Sequence, residues 1–495
     1  MSTPSPSQLR RTRRTGKYSL LAACGGLCLA VSAQAQAPSA PDGVPTLNPA
    51  GSAASSNTAP SGSARLEDVL DQSGGLTARD AGRRAAETSV QASVEGEKVL
   101  SAHNDRARVI WDNLPKLTLS AQYTRLSAVD IPAIAGVPPG FSLSGPLDNY
   151  ALSANLTVPF TEYLLRLVTA LRGAGDNEEA VALTERATRV GAAANAKLTY
   201  YDWVRARLQR VVTEQAVDQA KAQLRRVEAL HSAGRAAEAD LLQARAFQAD
   251  AELGLSQADT FAAIGEQRLR TVVHAPLEEQ LSVGENVLAA FPGAQEPKSL
   301  DDLYREAESQ RLELKAFDKG SAALDRLHTI ERTRALPRLD GFGGITYANP
   351  NQRIFPQQAQ WDETWQVGVS LTWSTADLGT SITSAEATRS QREQLLHQRA
   401  LAVEGMRLDI AAAYRALAQA RMNVVTAEQV ERAAVAAADA RAQLEESGLA
   451  TALELMQART AQLQARLNLI NAHIALRVAR VQLDHALGRD AAQGS

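Results

Sequence analysis

Gly-Arg-Ala-Ala-Glu-Ala-Asp-Leu-Leu-Gln-Ala-Arg at positions 234–245 returns at positions 448–459 as Gly-Leu-Ala-Thr-Ala-Leu-Glu-Leu-Met-Gln-Ala-Arg. The glycine and the Gln-Ala-Arg triplet keep their spacing, and Asp240 in the first copy corresponds to Glu454 in the second. Two upstream landmarks recur in the same order. Leu114-Pro115-Lys116-Leu117 returns as Leu336-Pro337-Arg338-Leu339, and Leu66-Glu67-Asp68-Val69-Leu70 returns as Leu300-Asp301-Asp302-Leu303-Tyr304. Three landmarks in one order mark two copies of a large unit, far longer than a solenoid repeat.

The sequence on both sides of each glycine is helical. No proline falls between Asp176 and Ser232, and Val204, Leu208, Val211, Ala220, Leu224 and Val227 follow helical spacing. The periodicity predicts a helix ending before Gly234 and a return helix to Val273, a hairpin over about 176–273. In the second half it predicts a hairpin over about 380–487, turning at Gly448. Both glycines suit the left-handed conformation that ends a helix. Helices this long with narrow apolar stripes suit coiled-coil hairpins packed side by side.

Upstream of each hairpin the period changes from helical to two. Leu117, Leu119, Ala121 and Tyr123 alternate with Thr118, Ser120 and Gln122; Tyr150, Leu152, Ala154, Leu156, Val158 and Phe160 alternate with Ala151, Ser153, Asn155 and Thr157. In the second half, Ile345 and Tyr347 flank Thr346, and Trp365, Val367, Val369, Leu371 and Trp373 alternate with Gln366, Gly368, Ser370 and Thr372. Strands are expected over about 116–126, 150–160, 339–348 and 365–374, with a proline-rich loop over 127–149. Their polar faces are small and uncharged, and aromatics sit at the strand ends. That pattern describes a membrane β-barrel better than a sheet on a soluble core.

The chain has 495 residues and a net charge of -3, which gives no case for nucleic acid. Its start reads as a secretory signal over 1–35: a basic stretch with Arg10, Arg11, Arg13, Arg14 and Lys17, an apolar run from Tyr18 to Val31, and small-x-small cleavage sites at Ala33-Gln34-Ala35 and Ala35-Gln36-Ala37. Leu21-Ala22-Ala23-Cys24 also fits a lipoprotein box, although the apolar run continues past Cys24. Cys24 and Cys28 are the only cysteines, so ordinary cleavage leaves a chain without disulfides or thiolate metal sites. Residues 36–63 read as a flexible linker. The remainder divides into a first repeat over 64–274, a connector over 275–299, a second repeat over 300–488 and a tail over 489–495.

Four strands cannot close a barrel, and open edges in lipid leave backbone groups unpaired. Closure by association follows, and three chains would supply twelve strands. The chain here resembles the outer-membrane factor family of TolC-like efflux and secretion channels, over about Arg65 to Arg489. The resemblance is carried by Leu114-Pro115 and Leu336-Pro337, Arg311-Leu312-Glu313-Leu314, Asp377-Leu378-Gly379 after the fourth strand, and the two glycine-to-Gln-Ala-Arg tips. It implies a mainly α fold with a four-stranded β contribution. As a homotrimer, the duplicated helix-strand-strand-helix halves would form a 12-stranded outer-membrane β-barrel and a long periplasmic α-helical barrel. It implies an exit duct joined through a periplasmic adaptor to an inner-membrane pump, in contact with outer-membrane lipid, with no enzymatic activity and no cofactor. One departure stands out. Thr161 to Gly175 is an apolar-basic insertion where the family has a short glycine turn, and Pro115 to Gly234 is eight residues longer than Pro337 to Gly448.

The resemblance also implies site roles. Asp240, Glu454 and Gln457 would line the periplasmic gate, where carboxylate rings favour cations; the plain alternative for the two acids is solvated helix charge. Ala233, Gly234, Ser447, Gly448 and Leu449 would form the adaptor-docking tips as well as capping helices. Leu117, Leu119, Leu152, Leu156, Val367, Val369 and Leu371 would face lipid. Tyr123, Tyr150, Phe160, Tyr347, Trp365 and Trp373 would form aromatic belts. The seven histidines fall in no metal-ligand spacing, and no catalytic motif occurs. A periplasmic coiled-coil scaffold or adaptor without a membrane barrel is the competing reading.

Overall fold

The structure, a computed structural model, describes residues 70, 72, 74–128, 146–289, 299–355 and 357–490. The expected signal segment, the linker, most of the proline-rich loop and parts of the connector and tail lie outside the described residues. Each half runs helix, helix, strand, strand, long helix, return helix. The first half comprises α1 (Ala78–Thr88), α2 (Val90–Asn113), β1 (Lys116–Arg125), β2 (Asp148–Pro159), α3 (Leu167–Ser232) and α4 (Glu238–Val273). The second comprises α5 (Leu300–Gln310), α6 (Leu312–Thr333), β3 (Arg338–Asn349), β4 (Asp362–Thr372), α7 (Thr375–Glu446) and α8 (Ala452–Ala486).

Short polar side chains start several of these helices. The Thr77 hydroxyl accepts from the Asp80 N–H at 3.1 Å, Ser89 from Ala92 at 3.2 Å, and Ser299 from Asp302 at 3.2 Å. Each satisfies an amide that the first helical turn leaves without a partner. Ser89 also separates α1 from α2. The long helices begin earlier than periodicity predicts. Helix α3 starts from Leu167, not from about 176, after a single π-type turn over Glu162–Arg166. Asp377-Leu378-Gly379 lies inside the first turns of α7 rather than before it.

The four strands form one antiparallel sheet in sequence order β1-β2-β3-β4. The register pairs Leu119 with Ala154, Ala154 with Ile345, and Ile345 with Trp365. Since side chains alternate faces along a strand, these pairings place Leu117, Leu152, Leu156, Val367, Val369 and Leu371 on one continuous face. The opposite face carries Thr118, Ser120, Asn155, Thr346, Gln366 and Ser370, and the Ser120 and Ser153 hydroxyls meet across it at 2.7 Å. Two glycines let aromatic rings lie flat against the sheet. Any Cβ on Gly341 would stand 2.6 Å from the Phe160 ring on the apolar face, and one on Gly368 would stand 2.7 Å from the Phe342 ring on the polar face.

The helices form a layer with α3 near its middle, in contact with α1, α2, α4, α6 and α8, while α7 packs on α6 and α8. Its main core lies where α3, α4 and α8 meet the inter-repeat connector. Tyr200, Trp203, Val204 and Leu208 of α3 bury with Leu269, Val283, Val287, Ile470 and Ile474, and Leu70 joins them. Backbone bonds clip the N-terminal segment to the connector: Gln72 N–H to the Val283 carbonyl at 2.9 Å and Gly284 N–H to the Leu76 carbonyl at 2.9 Å. The Arg477 guanidinium of α8 donates to the Asn286 and Val287 carbonyls at 2.8 and 2.9 Å. Lys197 holds Asp490 at 2.7 Å, so N-terminal segment, connector and tail meet at one level along the helices. A second core joins α5, α6, α7 and α8 through Leu303, Leu314, Ile410, Leu417 and Leu483.

Candidate functional site

Three regions carry the expected site residues: the sheet, its aromatic ends and the two helix-hairpin tips. On the sheet, Leu119, Val367 and Leu371 are 73, 75 and 70% exposed. Leu117, Leu152, Leu156 and Val369 are exposed beside them. A contiguous apolar surface of this kind requires lipid or a protein partner. Strands β1 and β4 are both edges of the sheet, each with one row of backbone groups unpaired within it.

The aromatics separate to the two ends of the sheet. Tyr123 lies 5.0 Å from Tyr150, and Tyr347 stacks at 4.9 Å on Trp361, which also approaches Tyr150 at 6.1 Å. Trp365 lies further into the sheet, paired with Ile345, and is 72% exposed. Phe160 and Trp373 mark the other end, where the Trp373 indole N–H donates to the Ala335 carbonyl at 3.2 Å. Trp361 completes the cluster although the alternation pattern stops short of it.

The tips are near copies. Gly234 and Gly448 have φ of +68° and +75°. The amides that follow reach back to close the helix: Arg235 N–H bonds the Leu230 carbonyl, and Leu449 N–H bonds the Leu444 carbonyl, both at 2.8 Å. Ala233 and Ser447 cap α3 and α7, and Leu449 is 77% exposed at the apex. Val227, Leu241 and Ala244 form a small core beneath, with Leu224 and Ala452 packed against it. Arg226 of α3 pairs with Glu445 of α7 at 2.8 Å, which ties the two hairpins together beside their turns.

The matched acids occupy equivalent seats. Thr451 and Glu454 form a reciprocal cap: Glu454 N–H donates to the Thr451 hydroxyl at 3.3 Å, and Thr451 N–H donates to the Glu454 carboxylate at 3.0 Å. Asp240 accepts from Ala237 N–H at 3.1 Å in the same way, without a reciprocal hydroxyl. Arg441 approaches Glu454 at 3.6 Å. Helix capping therefore accounts by itself for an acid at this position in both repeats. Gln457 lies exposed one turn further along α8.

Several polar groups that sequence patterns did not single out sit in the equatorial core. Burial pushes the Glu285 carboxyl above its usual range, with Arg477 opposing the shift, and burial raises the Tyr200 and Tyr201 hydroxyls. Burial lowers His485, with Arg311 nearby acting in the same direction. Among the described residues no cluster suits a metal ion, and no helix is long and apolar enough to cross a membrane.

Comparisons with known proteins agree with this architecture. The family profile described as outer membrane efflux protein matches residues 100–273 and 303–489. No curated protein matches the chain. Among solved structures, the outer-membrane channel OprN is 20% identical, with a TM-score of 0.69 over 83% of this chain and 89% of its own. The CmeC outer membrane channel of Campylobacter jejuni is 17% identical, with a TM-score of 0.70 over 83% of this chain and 85% of its own. The outer membrane protein VceC of Vibrio cholerae is 17% identical, with a TM-score of 0.66 over 83% of this chain and 96% of its own.

Proposed function

Because the chain belongs to the outer membrane efflux protein family, we propose that it is the outer-membrane exit duct of a tripartite efflux or type I secretion system. In this reading it works as a homotrimer, with the helical layer closed into a periplasmic tunnel. The family's activity is passage rather than catalysis. The observation that carries the reading is the sheet: one continuous apolar face, a mostly polar opposite face of threonine, serine, asparagine and glutamine with the Arg338–Asp340 ion pair at one end, and two unpaired edges. Side-by-side association pairs β4 of one chain with β1 of the next, antiparallel, and closes the ring without a lipid-exposed edge. The helical layer supports the same closure. Leu401, Leu408, Met422 and Val425 of α7 are exposed, and so are Leu253, Phe261 and Ile264 of α4. Cyclic symmetry lets such unlike edges satisfy each other.

A coiled-coil scaffold without membrane strands gives no reason for the sheet's apolar face. The sheet's interior-facing side carries threonine, serine, asparagine and glutamine, a lining suited to a wet passage. The periplasmic end consists of the glycine tips, and Ala233, Gly234, Ser447, Gly448 and Leu449 form its adaptor-docking surface. Asp240, Glu454 and Gln457 lie on the return helices just above those turns and form the gate. Chain mass in mild detergent tests the assembly: the expected result is three chains per particle from outer-membrane fractions. A stable monomer in the soluble periplasm would overturn the channel reading.

A further inference from the structure

We propose that the segment 161–172 is a collar that seats the junction of sheet and helix layer in the phospholipid headgroups of the periplasmic leaflet. The proposal rests on the outer-membrane reading above. The two repeats differ most at this junction. After β4 the chain enters α7 within a few residues, whereas after β2 it makes the π-type turn before α3. That turn is firmly held on one side. Thr161 is buried, and its hydroxyl accepts from Leu339 N–H at 2.8 Å. Arg166 is buried too, and it donates to the Thr333 carbonyl at 2.7 Å and the Thr333 hydroxyl at 3.2 Å, besides pairing with Glu162. The other side of the turn holds Leu164, Leu165 and Val168, which are 80, 47 and 56% exposed.

Pinning a turn by buried polar contacts so that it presents three apolar side chains to the surroundings needs an apolar environment as its explanation. The helix order narrows the occupant. Strand-edge association engages α7, α2 and α4, but α3 is flanked by α2 and α6 within its own chain. Its exposed residues therefore point off the layer, away from a second copy joined edge to edge. The surface continues directly into the sheet's apolar face through Phe160, and Trp373 marks the same level. Trp111 and Leu114 at the end of α2 add exposed apolar surface there. Arg172 is exposed and forms no ion pair among the described residues. Apolar and tryptophan side chains bordered by a cation match the interface between acyl chains and phosphate headgroups.

Lipid-dependent quenching tests the collar. Cys24 and Cys28, the only cysteines, precede the predicted cleavage site, so introduced thiols can be labelled singly. The Leu164→Cys, Val369→Cys and Leu449→Cys variants would each carry a bimane label after reconstitution into phosphatidylethanolamine–phosphatidylglycerol vesicles. Spin-labelled phospholipids, with the quencher near the headgroup or deep in the chain, and aqueous iodide would then be compared. The expected pattern is headgroup-level quenching at position 164, deep-chain quenching at 369 and iodide quenching at 449. Iodide quenching at 164 with lipid quenching retained at 369 would overturn the collar and leave the barrel standing. So would a 164 label reached by neither quencher, which would mean that protein covers the turn. Loss of lipid quenching at 369 as well would overturn both readings.

Discussion

Arginine at Val369 tests the membrane sheet at its most sensitive point. Val369 lies four residues from Trp365, inside β4, and four from Trp373, just past its end. At about 3.4 Å per residue that is ~14 Å along the strand to either tryptophan. A strand tilt near 45° then gives an apolar band of about 20 Å along the membrane normal, with Val369 at its centre. Arginine on the lipid face at mid-membrane costs about 2–4 kcal/mol. Three chains in one barrel make this about 6–12 kcal/mol per trimer, enough to defeat assembly of an oligomer of ordinary stability. Ser370 is its neighbour on the other face and pairs with Asp340 across the sheet. The Ser370→Arg variant should therefore assemble and change conductance. The assay is the trimer fraction against temperature, read from native electrophoresis of outer-membrane extracts. Equal behaviour of the two variants, or a reversed order, would refute the assignment of faces.

Glu454→Gln keeps a side chain that can accept from Thr451 N–H but removes the charge, whereas Glu454→Ala also loses the cap, a cost on the order of 1 kcal/mol. If Glu454 gates, both variants should assemble yet alter single-channel conductance and divalent-cation block; wild-type behaviour of the Gln variant would leave capping as the sole role. Cysteines replacing Ala233 or Ser447 should crosslink to a periplasmic adaptor, and capture of only outer-membrane proteins would count against tip docking. Burial holds His485 below its ordinary range, so its protonation disfavours the folded state: unfolding releases it to the ordinary value, and stability should fall as pH drops below about 6.5. Thermal unfolding of the His485→Gln variant should show a weaker acid loss, and an unchanged acid profile would remove His485 as the cause.

The strands were legible because apolar and polar side chains alternate on opposite sides of a single backbone. Val367, Val369 and Leu371 could be placed on one face before any register was known. The hairpins were legible for a similar reason: only glycine is comfortable at φ near +70°, so Gly234 and Gly448 mark turns in any reading. The π-type turn was not legible, because Arg166 fixes it through Thr333, far away in sequence. Trp361 precedes β4, and only the pairing of β3 with β4 brings it onto Tyr347. Arg477 looks like any charged residue of a long helix until the connector carbonyls surround it. The acids at 240 and 454 carry a different lesson. Thr451 and Glu454 have the spacing of a capping box, a local signal that the resemblance-based gate assignment passed over.

Gly368 has a consequence for the size of what can pass. The Phe342 ring occupies the space where its side chain would be and lies along the wall. Under threefold symmetry the same arrangement recurs at three points around one circumference. A methyl at position 368 would push each ring toward the axis, and three rings moving together would narrow the bore from three directions at once. On the proposed barrel, the aperture at this depth would depend on a residue that projects nothing into it, and Gly368→Ala would narrow the passage without adding any charge or polarity.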